Sequence, residues 1–201
     1  DNERPMAKRA LPVMIRELLM FELDPGMNEI KDLLSQWDFN LDGNSWEASF
    51  FTLWFSKLEE YTWADELGEK SVDHNWPNST EMMEILEMDI NSHWLDNIHT
   101  AERETLEMLV IKAFNSAQAD LSKKMGSDHT GWKWHDYRGT NIHHLAKIPG
   151  FGAEHLKTSG GRGVPNATRE TFGPSWRYAA EMGNPVTAIG IYPGGQSGYP
   201  G

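Results

Sequence analysis

Apolar side chains recur every three or four positions through about the first 125 residues, a spacing typical of helices that bury one face. Pro12 suits the first turn of a helix, and Ile15, Leu18 and Leu19 follow it at helical intervals before an Asp-Pro-Gly turn. A second short helix is indicated by the apolar residues Ile30, Leu33, Leu34 and Trp37. This part of the chain is therefore predicted to be helical.

Two further helices are predicted behind serine residues. Ser45 is predicted to cap the first of them, because a serine side chain accepts a hydrogen bond from a free amide at the start of a helix. The second helix follows Ser79. The stripe after Ser45 is expected to lie in the core and comprises Ala48, Phe51, Trp54, Phe55 and Leu58. The pattern after Ser79 comprises Met82, Ile85, Leu86 and Asp89.

The strongest helical pattern runs from Thr100 to Gly126. Thr100 can cap its start, Lys123 and Lys124 complement the negative C-terminal end of the helix dipole, and Gly126 is typical of a helix end. The apolar face of this helix comprises Leu106, Leu109, Val110, Ala113, Phe114, Ala117 and Leu121. We expect these residues to be buried.

The last third of the chain changes character, because glycine and proline interrupt it every ten residues or so. Two extended stretches, 175–183 and 186–194, are separated by Gly183, Asn184 and Pro185, which predicts an antiparallel hairpin. A lone two-stranded hairpin is marginally stable, so we expect it to belong to a larger sheet. Its unpaired edges predict self-association or poor order near Gly201. The fold class is thus α+β: one unit over residues 1–201, helical over about 1–125, with loops and a small antiparallel sheet over 126–201.

Composition narrows the range of functions. A chain of 201 residues suffices for one core, and nine Trp with eight Phe predict a core filled by large aromatic side chains. The net charge of −12 argues against binding to nucleic acid or to anionic membranes, and the absence of cysteine excludes disulfides and thiol catalysis. The sequence contains no apolar run long enough to span a membrane.

The stretch from Asp38 to Ser49 resembles the first half of a calcium-binding loop. Asp38, Asn40 and Asp42 occupy positions one, three and five, but position twelve is Ser49, where a bidentate glutamate is needed. The preferred interpretation is a turn through Asp42, Gly43 and Asn44, followed by the helix cap at Ser45.

Other candidate groups carry weaker signals. A metal site is one interpretation of His135, His143, His144 and His155 with Asp136 and Glu154, but no histidine pair has the spacing of a helical zinc site, so packing and hydrogen bonding are favoured. The glycine-rich stretch 160–170 lacks the Gly-Lys-Ser/Thr ending of a phosphate-binding loop. Ser175 and Ser197 lie next to prolines and glycines, but neither has the complete Gly-x-Ser-x-Gly context of a nucleophile elbow.

Several stretches together carry a family resemblance. They comprise Trp132, Trp134 and His135; His144 and Leu145; Gly160, Gly161, Val164, Asn166 and Ala167; Gly173, Ser175, Trp176 and Arg177; and the stretch 193–198, Pro-Gly-Gly-Gln-Ser-Gly. Upstream, the stretch 37–55 and the helix from Arg9 to Leu19 match less specific family segments. The chain resembles the C-terminal part of the β chain of the penicillin acylase (penicillin amidase) family.

The resemblance implies a fragment of an N-terminal nucleophile hydrolase with a four-layer αββα fold. In that superfamily a precursor cleaves itself, and the serine exposed at the start of the β chain attacks the amide while its own α-amino group, with a pKa of about 8, accepts the proton. An asparagine and a backbone amide stabilise the oxyanion. Because this chain opens with Asp1, we expect the serine, the asparagine and the family's calcium ligands to lie before it in the parent enzyme.

No catalytic, metal-ligating or substrate-binding residue is therefore assigned in this sequence. Arg177 and Gln196 match motif positions, and a structural role is favoured for both. The first interpretation of function is a non-catalytic structural segment of a periplasmic or secreted amidohydrolase that acts on β-lactams, acyl-homoserine lactones or related N-acyl compounds. Its expected partners are the α chain and the N-terminal part of the β chain, and the segment alone is expected to be inactive. The alternative is a freestanding acidic helical binding module with calcium at Asp38, Asn40 and Asp42 or an aromatic ligand among Trp46, Trp54 and Trp63.

Overall fold

The computed structural model describes residues 2–68, 75–144, 146, 148 and 150–191. The helices of this part are α1 (Pro5–Leu18), α2 (Pro25–Leu34), α3 (Trp46–Leu67), α4 (Ser79–Met88), α5 (Leu106–Met125) and α6 (Trp134–Arg138), with short 3-10 turns at His93–Leu95 and His129–Gly131. The strands are β1 (Thr140–Ile142), β2 (Ala153–Leu156), β3 (Arg177–Glu181) and β4 (Thr187–Ile191), which form the antiparallel pairs β1–β2 and β3–β4. The α+β class is confirmed, whereas the four-layer αββα arrangement stays a prediction.

The core is centred on the contact between α3 and α5, with α1 packed against α5 and α4. Phe114 of α5 lies 4.9 Å from the ring of Phe50 and meets Trp54 edge-on at 5.0 Å, both on α3. The buried indole of Trp54 donates a hydrogen bond to the carbonyl of Val110 at 3.0 Å. The predicted apolar faces of α3 and α5 are all buried, and large aromatic side chains fill the core as expected.

The helix ends agree with the predictions in part. Ser45 Oγ accepts a hydrogen bond from the amide of Ala48 at 3.1 Å, so its predicted cap on α3 is confirmed. The end of α5 at Gly126 is also confirmed, since Gly126 follows the last helical residue with φ of +95°. Before α4, it is Asn78 that caps the helix, by accepting from the amide of Thr80 at 2.7 Å.

Three predictions for the helices are wrong. Pro12 lies inside α1, which begins at Pro5 because that earlier proline takes the first helical position. Thr100 does not cap α5; the helix begins at Leu106, and Thr100 Oγ1 instead donates to the carbonyl of Asn97 in the preceding loop. Leu33 is 37% exposed and faces away from the buried side of α2.

The last third of the chain contains the predicted hairpin and two further elements. Strands β3 and β4 pair in register from Arg177 opposite Ile191 to Glu181 opposite Thr187, which confirms the hairpin. The β1–β2 pair and the five-residue helix α6 were not predicted. Within the described residues β3 and β4 pair only with each other, and every residue in both strands is exposed. The larger sheet stays a prediction, and the expectation for Gly201 falls outside the described residues.

Membrane spanning can be judged from the helices. Among the described residues, none of the helices combines the length and the apolar character needed to cross a bilayer.

Candidate functional site

The turn before α3 uses its acidic side chains to bind backbone amides. Asp38 Oδ1 accepts from the amide of Asn40 at 2.9 Å, and Asp42 Oδ1 accepts from the amide of Asn44 at 2.9 Å. Ser49, at the twelfth position of the calcium-loop pattern, is buried in α3. The preferred interpretation, a turn followed by a cap, therefore agrees with the geometry. Among the residues that the structure describes, no group of three or more acidic or histidine side chains is arranged to hold a metal.

His135 and His144 take part in packing and local hydrogen bonds. His135 is buried, and its Nδ1 lies 2.8 Å from Asp136 Oδ1. His144 Nδ1 accepts from the amide of Ala146 at 3.2 Å, and its ring meets Phe151 at 5.7 Å. His155 is held through its backbone, and Asn141 Oδ1 accepts its amide hydrogen at 2.8 Å. The contacts of His135 and His144 agree with the favoured interpretation, which stays a prediction for His143 and His155.

The glycines of the 160–170 stretch allow close approach to the chain itself. At Gly160, where φ is +86°, a Cβ atom would lie 2.1 Å from the carbonyl oxygen of Asn166. At Gly161 a Cβ would lie 2.8 Å from Leu41 Cδ1. The amide of Gly160 donates to the carbonyl of Leu41 at 2.7 Å, so the loop is attached to the segment before α3. This geometry explains the glycines without a phosphate ligand.

Arg138 is a buried charge that the sequence analysis missed. Its guanidinium donates to the carbonyl of Thr158 at 2.7 Å, to Thr140 Oγ1 at 3.2 Å, and also to the carbonyl of Gly160. It lies over the ring of Trp134 at 5.2 Å. Burial lowers the pKa of Arg138, and the Glu170 carboxylate opposes that shift. Arg138 therefore joins α6, β1 and the glycine-rich loop into one polar network, which makes it a structural residue.

Glu66, near the C-terminal end of α3, has a perturbed pKa. Burial, the neighbouring Asp65 and, to a smaller extent, Asp96 raise the pKa of Glu66 to about 7. One carboxylate oxygen of Glu66 and the hydroxyl of Thr105 are buried without a hydrogen-bond partner. Glu66 is therefore a point of pH sensitivity in the helical segment.

The hairpin carries apolar side chains on both of its faces. Trp176 and Tyr178 share one face, with ring centroids 5.5 Å apart, and Gly190 leaves room for the Trp176 indole. Ile189 and Ile191 lie on the opposite face, together with Arg177. We call Trp176, Tyr178, Ile189 and Ile191 the hairpin surface.

The hairpin surface is exposed and borders a cavity. Tyr178 is 60% and Ile189 is 67% exposed. The four residues line a cavity of about 450 Å³ together with Pro165, Asn166, Arg177 and Ala179. Strands that are apolar on both sides are typical of sheets covered by other layers. The hairpin surface is thus the best candidate for a functional contact in the described part of the chain.

The remaining sequence candidates do not add a catalytic group. Ser175 lies in an exposed bend just before β3. Gln196 and Ser197 lie outside the described residues, as does the whole glycine-rich stretch 193–198.

Comparison with known proteins gives one result that covers the whole chain. The family model for penicillin amidase matches residues 1–201. No curated protein matches the chain. The family match agrees with the resemblance carried by the tryptophan, glycine and hairpin segments. On this evidence, the chain belongs to the penicillin amidase family.

Proposed function

We propose that this chain is a non-catalytic structural segment of an amidohydrolase that cleaves the acyl–amide bond of N-acyl compounds, such as β-lactams or acyl-homoserine lactones. Membership of the penicillin amidase family supports the reaction class. The observation that carries the structural role is the hairpin surface, a two-stranded sheet with exposed apolar side chains on both faces.

The hairpin surface would contribute to the enzyme by docking. Burying an aromatic or branched side chain of this size is worth about 1.5–3 kcal/mol. Four such residues would therefore stabilise the contact between this segment and the layers that cover the two faces of its hairpin. The partner is the remainder of the same enzyme: its α chain and the N-terminal part of its β chain.

The chemistry would reside in that partner. A serine hydroxyl at the start of the β chain attacks the acyl carbonyl, its α-amino group takes the proton, and the amine leaves as an acyl-enzyme forms. Water then releases the carboxylic acid and restores the serine. Calcium and self-cleavage of a precursor belong to the parent enzyme in this proposal, and the setting is periplasmic or extracellular.

The experiment compares the full-length protein that carries this sequence with the 201-residue chain alone. Each is incubated with a β-lactam, an N-acyl-homoserine lactone and a chromogenic N-acyl anilide, and the released acid and amine are quantified. We expect hydrolysis of at least one substrate by the full-length protein and none by the chain alone. Hydrolysis by the chain alone would contradict the structural role, and a full-length protein inactive on all three would contradict the reaction class.

A further inference from the structure

A second feature, independent of the proposed function, does not involve the hairpin. A cavity of about 340 Å³ lies between the start of α1, the N-terminus of α4 and the loop at 162–163. Three arginines line it: Arg4, Arg9 and Arg162. The chain has only eight arginines and a net charge of −12. Three guanidinium groups around one cavity therefore form a positively charged cluster in an acidic protein. We call this cavity and its three arginines the arginine cleft.

Arg4 is the fixed, buried member of the arginine cleft. It is 9% exposed, donates to Thr52 Oγ1 at 3.0 Å, and lies over the ring of Phe51 at 5.5 Å. Its backbone amide also donates to the carbonyl of Phe39 at 2.9 Å. These contacts hold the guanidinium in place before any ligand arrives, which reduces the entropy lost on binding.

The positive charge of the cleft is only partly compensated by the protein. Arg9 forms a bidentate pair with Glu87, at 2.8 and 2.5 Å. None of the ion pairs among the described residues involves Arg162. Burial lowers the pKa of Arg4 to about 10; the Glu59 carboxylate opposes this shift and the positive charge of Arg162 adds to it. The mutual repulsion of Arg4 and Arg162 would be relieved by an anion placed between them.

The helix end at the cleft favours the same ligand. Asn78, Ser79 and Thr80 line the cavity at the start of α4, a ten-residue helix whose N-terminus carries partial positive charge. Guanidinium groups bind carboxylate and phosphate oxygens through paired N–H donors. We propose that the arginine cleft binds an oxyanion, the carboxylate or phosphate group of a small molecule, with Arg4 and Arg162 as its main ligands.

The test measures anion binding by calorimetry on the full-length protein. Inorganic phosphate and acetate are titrated separately at constant ionic strength, against a chloride background, so that the two sources of oxyanion are distinguished. We expect saturable binding of at least one anion. Arg162→Ala should weaken it at least tenfold, and Arg162→Lys should weaken it less because the charge is kept. Arg103→Ala removes an exposed arginine outside the cleft and should change affinity less than twofold.

A third variant tests the charge balance in the opposite direction. Glu87→Gln frees Arg9 from its ion pair, so anion affinity should rise severalfold, a result that a merely structural cleft would not produce. Circular dichroism checks that each variant is folded. Absence of saturable binding by both anions, equal affinity of Arg162→Ala and the unmodified protein, or a Glu87→Gln affinity that is unchanged or lower would overturn the proposal. Amide hydrolysis does not enter any of these readouts, so the outcome is separate from that of the proposed function.

Discussion

Gly160 illustrates how a single backbone position connects distant parts of this chain. Its carbonyl accepts from the indole of Trp134 at 2.6 Å and from Arg138, while its amide donates to Leu41. Its φ of +86° lies in the left-handed region that glycine adopts without strain. The position is therefore restricted by its conformation and by the atoms around it.

Replacing Gly160 by alanine should destabilise the protein by about 3 kcal/mol. The new Cβ would clash with the carbonyl oxygen of Asn166, and alanine would also have to adopt a positive φ. Gly163→Ala is the matched control, since its φ is +80° but no heavy atom lies within 4 Å of the added Cβ. We expect the control to cost about 1 kcal/mol in urea unfolding. Equal costs for the two variants would show that the contact with Asn166 has no energetic role.

The raised pKa of Glu66 makes the free energy of unfolding depend on pH. Its folded-state pKa of about 7 lies above the value of about 4.3 expected when unfolded, so the folded state holds the proton more tightly. The contribution of Glu66 to the free energy of unfolding is therefore fully present below about pH 4.3 and is lost as the pH rises through about 7. Glu66→Gln should therefore be more stable than the unmodified protein at pH 8, by about 1 kcal/mol after solvent screening.

The measurement for Glu66 is urea unfolding at pH 5 and pH 8. The advantage of Glu66→Gln should shrink at the lower pH. Glu102→Gln, at an exposed loop residue, is the control for loss of one negative charge. An advantage of the same size at both pH values would refute the raised pKa of Glu66, caused by burial and by the nearby Asp65 and Asp96, as its source.

At the scale of elements, the contact between α3 and α5 forms the centre of the core. Phe114 is buried against Phe50 and Trp54, so Phe114→Ala should cost about 4 kcal/mol through lost transfer energy and the cavity left behind. Met108→Ala on the same helix, at a residue 39% exposed, should cost about 0.5 kcal/mol. Urea unfolding of both variants tests this, and a cost below 1 kcal/mol for Phe114→Ala would be inconsistent with the described core.

The helices were predictable where local chemistry determines them. The cap at Ser45 and the end at Gly126 depend on hydrogen bonds and backbone angles within one turn. The start of α1 was missed because Pro5 and Pro12 both suit a first turn, and local preference does not distinguish them. The start of α5 was missed because Thr100 and Thr105 have the same side chain, and the loop contacts of Thr100 decide which one precedes the helix.

In the last third of the chain, structure depends on contacts between residues distant in sequence, and these could not be predicted from local patterns. Strand β1 has three residues and β2 has four, too few for a clear alternation of apolar and polar positions. The sequence around Arg138 does not distinguish it from a surface arginine, because only the fold brings Thr158 and Gly160 into contact with it. The hairpin was predictable from its turn, but exposure on both faces became visible only in the structure.

The whole molecule combines a well-packed helical segment with a hairpin that has no covering layer among the described residues. The helical core buries its aromatic side chains, whereas Trp176, Tyr178 and Ile189 are each more than half exposed. This contrast is expected of a segment whose second half completes its burial against other parts of an enzyme. The central claim is therefore that the hairpin surface docks within an amide hydrolase.

The most direct test is the rate of amide hydrolysis by the full-length protein carrying Ile189→Asp. Its matched control is Met20→Asp, because Met20 is 72% exposed and Ile189 67% exposed, so both changes place a charge at an exposed apolar site. We predict that Ile189→Asp lowers hydrolysis at least tenfold, by burying a charge in the docked contact, and that Met20→Asp leaves it within twofold. Hydrolysis by the Ile189→Asp protein at the rate of the Met20→Asp protein would contradict the account.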